Sequence, residues 1–352
     1  MLTEFKRVTT QLFMPSQVRH SLALIKMITS YWVTQSLHVV AKLGVADLLK
    51  DGPKSSDELA KSVGADARSL YRLLRAVASV GIFSEVKSGH FALTPMGELL
   101  QTGVPGSLRA AAIMHGEKWQ WQPWGELLES VKNGKSPFKR MFGSTIYDYF
   151  SENAEANEIF NSAMTNFSDW ENSLILNSYD FSSVHRLIDV GGGQGNLLTS
   201  ILEANPTMKG ILFDLPHVIQ SAIGHIEAKG LTARCELISG DYFESVPPYG
   251  NTYLLKRIIH GWDDEQAVAL LKNCYRAMPD NGKLLLIEMV IPPGNEPFLG
   301  KLLDLHILLM RGGHERTSTE YRTLLDAAGF KLTKIIPTRS PLSFIEAVPI
   351  PQ

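Results

Sequence analysis

From His185 onward, short apolar runs alternate with segments of helical periodicity, and this alternation constrains the fold more than any other feature. The runs are HRLIDV, GILFD, CELISGD, YLLKRII, KLLLIEMVI, KLTKIIPT and LSFIEAV. Helical segments such as DDEQAVALLKNCYRAM and TSTEYRTLLDAAG lie between most of them. The second of these opens on Thr317 with Glu320 three places on, a capping-box pattern. Short apolar strands separated by helices predict an α/β domain with a doubly wound, mostly parallel sheet. In such sheets ligands lie beyond the carboxyl ends of the strands, so residues there carry the weight.

Four features fall at those ends. The first run delivers Asp189 and the glycines Gly191, Gly192, Gly193 and Gly195. The second ends at Asp214 in FDLPHV, the third at Asp241 in GDYF, and the fourth gives Lys256 and then His260. A carboxylate closing the second strand suits a ribose, because it can accept hydrogen bonds from both hydroxyls. Asp214 follows Gly191 by 23 positions, close to the roughly twenty of nucleoside-binding sheets. Each feature also has a plainer reading: Asp214 as a helix cap ahead of Pro216, Asp241 as a turn residue. Their coincidence on one edge favours a binding site. The glycine spacing is GxGxG, not the GxGxxG of dinucleotide sites, and no P-loop Lys-Ser/Thr follows.

The first hundred or so residues read as helices, with a helix–turn–helix and then a hairpin. Ser55 or Ser56 caps a short helix that Gly64 interrupts, and Ala67–Val80 forms a second helix ended by Gly81. IFSEV and HFALT flank KSG as a hairpin. This winged-helix-like pattern serves DNA binding or dimerisation alike. Arg68, Arg72 and Arg75 read either as a recognition face or as a solvated one. A net charge of -2 points to neither nucleic acid nor an anionic membrane. No run approaches the roughly 18 apolar residues of a membrane span, and the N-terminus lacks a signal-peptide core. The expected location is therefore cytoplasmic, with Cys235 and Cys274 as reduced buried thiols. Between residues 116 and 180 the chain is helical and aromatic, and Trp119, Trp121 and Trp124 either line a pocket or glue two domains together.

LIDVGGGQGN, FDLPHVI, GDYFESVP and LLKRIIHGWDDEQAVALLKNCYRAMPDNGKLLLIEMVIP, in that order, closely resemble the motifs of class I S-adenosylmethionine-dependent small-molecule O-methyltransferases. These include the caffeic acid, acetylserotonin and bacterial polyketide and phenazine enzymes. The similarity runs from about residue 20 to the C-terminus. It implies a Rossmann-like, seven-stranded, mostly parallel sheet preceded by a helical, winged-helix-like dimerisation domain. The boundaries it implies are 1–115 for that domain and 116–352 for the methyltransferase domain, with 116–180 shaping the acceptor pocket.

The resemblance also assigns roles. S-adenosyl-L-methionine, leaving as S-adenosyl-L-homocysteine, is expected at Asp189, Gly191, Gly192, Gly193, Asp214, Leu215, Asp241, Tyr242, Phe243 and Lys256, with Ser168 near its carboxylate. The acceptor, a small hydroxyl compound, is expected at Phe160, Met164, Phe167, Trp262, Asp263, Leu309 and Met310. A Met and aromatic stripe at helical spacing also reads as plain core. Asp304 and His306 either add polar contacts or pack between helices.

Methyl transfer to a hydroxyl needs a base, and an imidazole titrating near neutrality suits it. The resemblance makes His260 that base, oriented by Glu288 and Glu315. The plain readings are a histidine at a strand–helix junction, an exposed strand-end charge for Glu288 and a helix-start charge for Glu315. His314 reads as a surface residue, and Asp263 and Asp264 as helix caps rather than metal ligands, so no metal is expected. A homodimer is implied, without nucleic acid or membrane partners. Three competing readings remain: a ligand-sensing winged-helix regulator of DNA, an N-methyltransferase on the same fold, and a nicotinamide dehydrogenase that the glycine spacing disfavours.

Overall fold

The structure, a computed structural model, describes residues 15–351. The part of the 1–115 expectation that falls on residues 1–14 lies outside the described residues. The chain divides into two compact units, one of residues up to Trp121 with Glu158–Asn166, the other of Gln122–Asn157 with the chain from Phe167 onward.

In the first unit, helices α1 (Ser16–Ile28) and α2 (Ser30–Lys42) precede strand β1 (Lys54–Ser55), α3 (Ser56–Val63), α4 (Ala67–Ser79), β2 (Phe83–Lys87) and β3 (His90–Leu93). Ser55, not Ser56, is the cap of α3: its hydroxyl accepts the Glu58 N–H while the Glu58 carboxylate accepts the Ser55 N–H. Gly64 stops α3 in a left-handed conformation at φ +66, and Asp66 caps α4. The expected hairpin is β2 with β3, and β1 joins it to give the order β1-β3-β2, antiparallel throughout. Leu59, Leu70, Leu74, Val77, Phe83 and Phe91 form the core of this unit.

Helix α5 (Ala154–Ile175) contributes Glu158–Asn166 to the first unit and its remaining residues to the second. The second unit's sheet is built from β4 (Arg186–Val190), β5 (Lys209–Asp214), β6 (Cys235–Ser239), β7 (Thr252–Lys256), β8 (Lys283–Ile291), β9 (Arg316–Thr317), β10 (Phe330–Pro337) and β11 (Leu342–Pro349). Its order is β10-β11-β8-β7-β4-β5-β6, with β9 pairing alongside β8. Strands β6, β5, β4, β7 and β8 run parallel, and β11 is antiparallel to both β8 and β10. The seven apolar runs are the seven strands of the main path. Two details differ from expectation. Strand β9 is a two-residue segment, too short for periodicity to reveal. The YLLKRII strand stops at Lys256, because Arg257 turns the backbone to φ +54.

Helices α6 (Asn196–Ala204), α7 (Pro216–Ala228), α8 (Asp264–Ala277), α9 (Leu299–Met310) and α10 (Ser318–Ala327) connect the strands. Strand side chains alternate between two apolar layers. Ile188, Ile211, Tyr253 and Leu284 pack with Leu270 and Leu271 of α8 and Leu324 of α10. Their chain neighbours Leu187, Leu212, Leu254 and Leu285 pack with Leu198 and Ile201 of α6 and Ala222 of α7. A sheet buried on both faces presents only its edges and strand ends to ligands, and the carboxyl ends of β4, β5, β6 and β7 lie side by side. Cys235 and Cys274 are buried free thiols, and burial pushes them up to about 11 and about 12.

Candidate active site

At the end of β4 the chain must turn tightly beside a buried carboxyl. The Gly191 N–H donates to Phe213 O at 2.8 Å, and Gly191 takes φ +71. A Cβ on Gly192 would stand 2.5 Å from Oδ2 of Asp189, so only glycine fits there. Asp189 Oδ2 is itself buried without a partner, and burial, reinforced by the nearby Asp214 charge, pushes the carboxyl up to about 7. Across the turn, Asp214 accepts the Gly193 N–H at 2.9 Å and the Leu215 N–H at 2.7 Å. It makes no cap bond to α7, which removes the capping reading. One lone pair on each Asp214 oxygen stays available for a hydroxyl. Leu215 stands exposed next to it.

After β6, Asp241 accepts the Phe243 N–H at 2.8 Å and so shapes a loop that presents Tyr242 and Phe243. Asn273 of α8, which the sequence left unremarked, donates to the carbonyls of both Tyr242 and Phe243, at 2.8 and 2.9 Å. Trp262 packs edge-on against Phe243 at 4.8 Å. An orphaned buried carboxyl oxygen, a glycine cradle, a carboxylate with spare lone pairs and an aromatic loop together fit a nucleoside without phosphate. Lys256, expected beside the cofactor, is held by side chains of α5. Its ammonium meets Glu171 at 3.0 Å and Asn172 at 3.1 Å, both on α5. Arg257 pairs with the same Glu171. Burial opposes the charged form of Glu171, yet these two cations hold it below the usual carboxylate range.

Beyond β7 the chain makes a single short turn, Ile259–Gly261, which carries His260 into a buried position. Nδ1 of His260 lies 2.8 Å from Oε1 of Glu315. Glu288, on β8, accepts the Ile259 N–H at 2.8 Å. Both carboxyls are buried, which overturns the plain readings of an exposed strand-end charge and a helix-start charge. Glu315 stands ahead of β9, whereas α10 starts at Ser318, capped by Thr317 with its capping box. Burial pushes His260 down to about 4 and lifts Glu288 and Glu315 to about 7. The imidazole is therefore neutral near pH 7. The Glu315 contact assigns its proton to Nδ1 and leaves the Nε2 lone pair for chemistry. The ligand atoms of His260, Glu288 and Glu315 lie within 4.8 Å of one another, near enough to share a metal ion. As built, Nδ1 and one oxygen of each carboxyl are committed to hydrogen bonds.

The acceptor candidates are distributed unevenly. Leu309 and Met310 are buried at the end of α9, and Trp262 is partly buried beside the His260 turn. Asp263 caps α8 by accepting the Gln266 N–H at 2.9 Å. Phe167 and Ser168 lie on α5 in the second unit, whereas Phe160 and Met164 fall in the first. Asp304 accepts the Glu315 N–H at 2.8 Å, and His306 stacks on Trp124 at 6.0 Å. Of the other tryptophans, Trp119 is buried in the first unit and Trp121 packs on Tyr31 there. Tyr147 stacks on Trp262 at 6.3 Å with the Arg311 guanidinium over its ring. His314 faces Asp264 at 3.4 Å.

The O-methyltransferase domain family matches residues 124–331, and the O-methyltransferase dimerisation domain family matches residues 25–103. A phenazine O-methyltransferase of Lysobacter antibioticus is 46% identical over 327 residues, 93% of this chain and 96% of the relative. The crystal structure of LaPhzM is similar with a TM-score of 0.90 at 46% identity, over 94% of this chain and 99% of that one. A methyltransferase of calicheamicin biosynthesis, solved in its SAH-bound form, is similar with a TM-score of 0.84 at 33% identity, over 96% and 100% of the two chains. None of these likenesses favours a DNA-binding regulator.

Proposed function

The chain belongs to the S-adenosylmethionine-dependent O-methyltransferases, and we propose that His260 deprotonates a hydroxyl of a planar aromatic natural product as that oxygen takes the methyl group. The observation that carries this reading is the buried His260–Glu315 pair, which commits Nδ1 and leaves Nε2 as the nitrogen that can act as base. When bound, S-adenosylmethionine supplies an electrophilic methyl group on a sulfonium.

The chain's own groups do the rest. Gly191, Gly192 and Gly193 let the backbone approach the amino-acid part of the cofactor, with Asp189 beneath them. Asp214 and the neighbouring Leu215 hold the ribose side, and the Asp241–Phe243 loop takes the adenine. Lys256 acts through α5: tied to Glu171 and Asn172, it fixes the helix that brings Ser168 and Phe167 to the site. His260 receives the acceptor proton on Nε2. Glu315 then stabilises the imidazolium through Nδ1, and Glu288 adds a second buried carboxyl. A positioned base of this kind is worth about 10²–10⁴ in rate. Exclusion of water strengthens each of these interactions.

The aromatic groups Trp262, Tyr147, Trp124 and Phe167, with Leu309 and Met310 behind, suit a flat acceptor, in keeping with the phenazine enzyme it resembles. The region 116–180 supplies several of these groups, and 116–352 acts as the catalytic domain. The dimerisation domain supports a homodimer. Leu24, Ile28 and Trp32 of α1 and α2 are 57%, 63% and 59% exposed, an apolar face that a second copy covers. No helix among the described residues is long and apolar enough to cross a membrane. Two unpaired buried thiols suit the reducing cytoplasm. The reading is tested with hydroxyphenazines, phenols, polyketide phenols and heteroaromatic amines, each incubated with methyl-labelled cofactor and read by mass spectrometry. Label on hydroxyl acceptors supports it. Label on amines alone would transfer the chain to the N-methyltransferase reading.

A further inference from the structure

Arg316 is the largest fully buried side chain among the described residues, and its location is unusual for a guanidinium. Nη1 donates to Ile259 O at 3.1 Å and Nη2 to Trp262 O at 3.0 Å, the carbonyls on either side of His260 and Gly261. Nε and Nη2 also donate to Asp264 Oδ1 at 2.9 and 2.7 Å, which balances the buried charge. Two residues short of Glu315, Gly313 makes an equally close approach. A Cβ there would stand 2.3 Å from His260 O and 2.6 Å from Gly261 C. The segment from Gly313 to Arg316 thus meets the His260 turn through Gly313 and Arg316, and it carries Glu315, the partner of His260, between those two contacts.

We infer that Arg316 and Gly313 are positioning residues that clamp the His260 turn, setting Nδ1 against Glu315. This rests on the reading of His260 as the base. A single-turn segment has too few internal hydrogen bonds to fix a side chain by itself. A planar fork with five donors can hold two carbonyls and a carboxylate at once, and a lysine ammonium cannot. The clamp places acid and base on one rigid unit, so an error of 1 Å or so in the imidazole, which costs about 10²-fold in rate, does not arise.

The test uses Arg316→Lys, Gly313→Ala and Asp264→Ala in the full chain, with His260→Ala and Ile345→Val measured beside them. Asp264 is 71% exposed, so its variant loosens the clamp without opening the core. Each clamp variant is expected to lower kcat by about tenfold or more while the Kd for S-adenosylhomocysteine stays within about twofold. Ile345→Val trims the core on β11, where it pairs with Leu286 of β8 and Ile335 of β10, so it lowers Tm and keeps kcat, which separates clamping from general stability. A wild-type kcat in folded Asp264→Ala and Gly313→Ala overturns the clamp. A wild-type kcat in His260→Ala refutes the base, and the clamp with it.

Discussion

Oε1 of Glu315 stands 2.8 Å from Nδ1 of His260, with both groups buried and 55 residues apart in the chain. A neutral imidazole whose inner nitrogen is committed to a carboxylate presents its outer nitrogen as a base. Burial sets the protonation on both sides of this contact. The imidazole lies down at about 4, so it is neutral across the working range, while the two carboxyls lie up at about 7.

The acid limb of kcat therefore follows the carboxyls. Below about pH 7, protonated Glu315 can no longer accept charge from the imidazolium, and kcat falls as pH drops through that region. Glu315→Gln is expected to lower kcat by about 10²-fold at neutral pH. A kcat–pH profile checks both; a limb near 4 would assign it to the imidazole.

Glu288 links function to stability with a definite sign. Its pKa rises from 4.5 to about 7, so between those values the unfolded carboxyl ionises while the folded one keeps its proton. The native state then binds more protons, and stability falls as pH rises through that window. Above it the full penalty stands, on the order of 3 kcal/mol. Glu288→Gln retains an acceptor for the Ile259 N–H and cannot ionise. Its Tm is expected to exceed that of the native chain by a few degrees at about pH 8 and to match it at about pH 5, with kcat reduced. Scanning calorimetry at both pH values decides it.

Asp214 is held by two backbone N–H groups and offers its remaining lone pairs outward. Asp214→Ala is expected to weaken S-adenosylhomocysteine binding by about 10–100-fold, the loss of charge-assisted hydrogen bonds. Calorimetry measures it, and an unchanged Kd removes the ribose role.

The apolar face of α1 and α2 gives a prediction for assembly. The 39.0 kDa chain is expected at twice its mass by light scattering, and Ile28→Lys with Trp32→Lys is expected to return it to one. A dimer that survives both changes lies elsewhere on the surface.

Much of this site is legible in the sequence because local chemistry dictates it. The GxGxG turn, the strand-end Asp214 and the Thr317–Glu320 capping box each express a short-range rule, and each takes the form expected. What escaped depends on partners distant in the chain. Glu171 meets Lys256 and Arg257 more than eighty residues on, and nothing in α5 marks it as buried. Asn273 and Arg316 have polar side chains that read as surface residues, yet they are buried because backbone carbonyls from other elements need donors. Arg257 at φ +54 shortens β7 by a backbone choice that apolar patterning does not encode.

The most direct measurement is His260→Ala with a hydroxyl acceptor found active in the panel, followed by labelled methyl transfer and by calorimetry with S-adenosylhomocysteine. The expected result is a loss of kcat of about 10²–10⁴ with the Kd nearly unchanged. Turnover at the native rate, or loss of catalysis and cofactor binding together, would contradict His260 as the base.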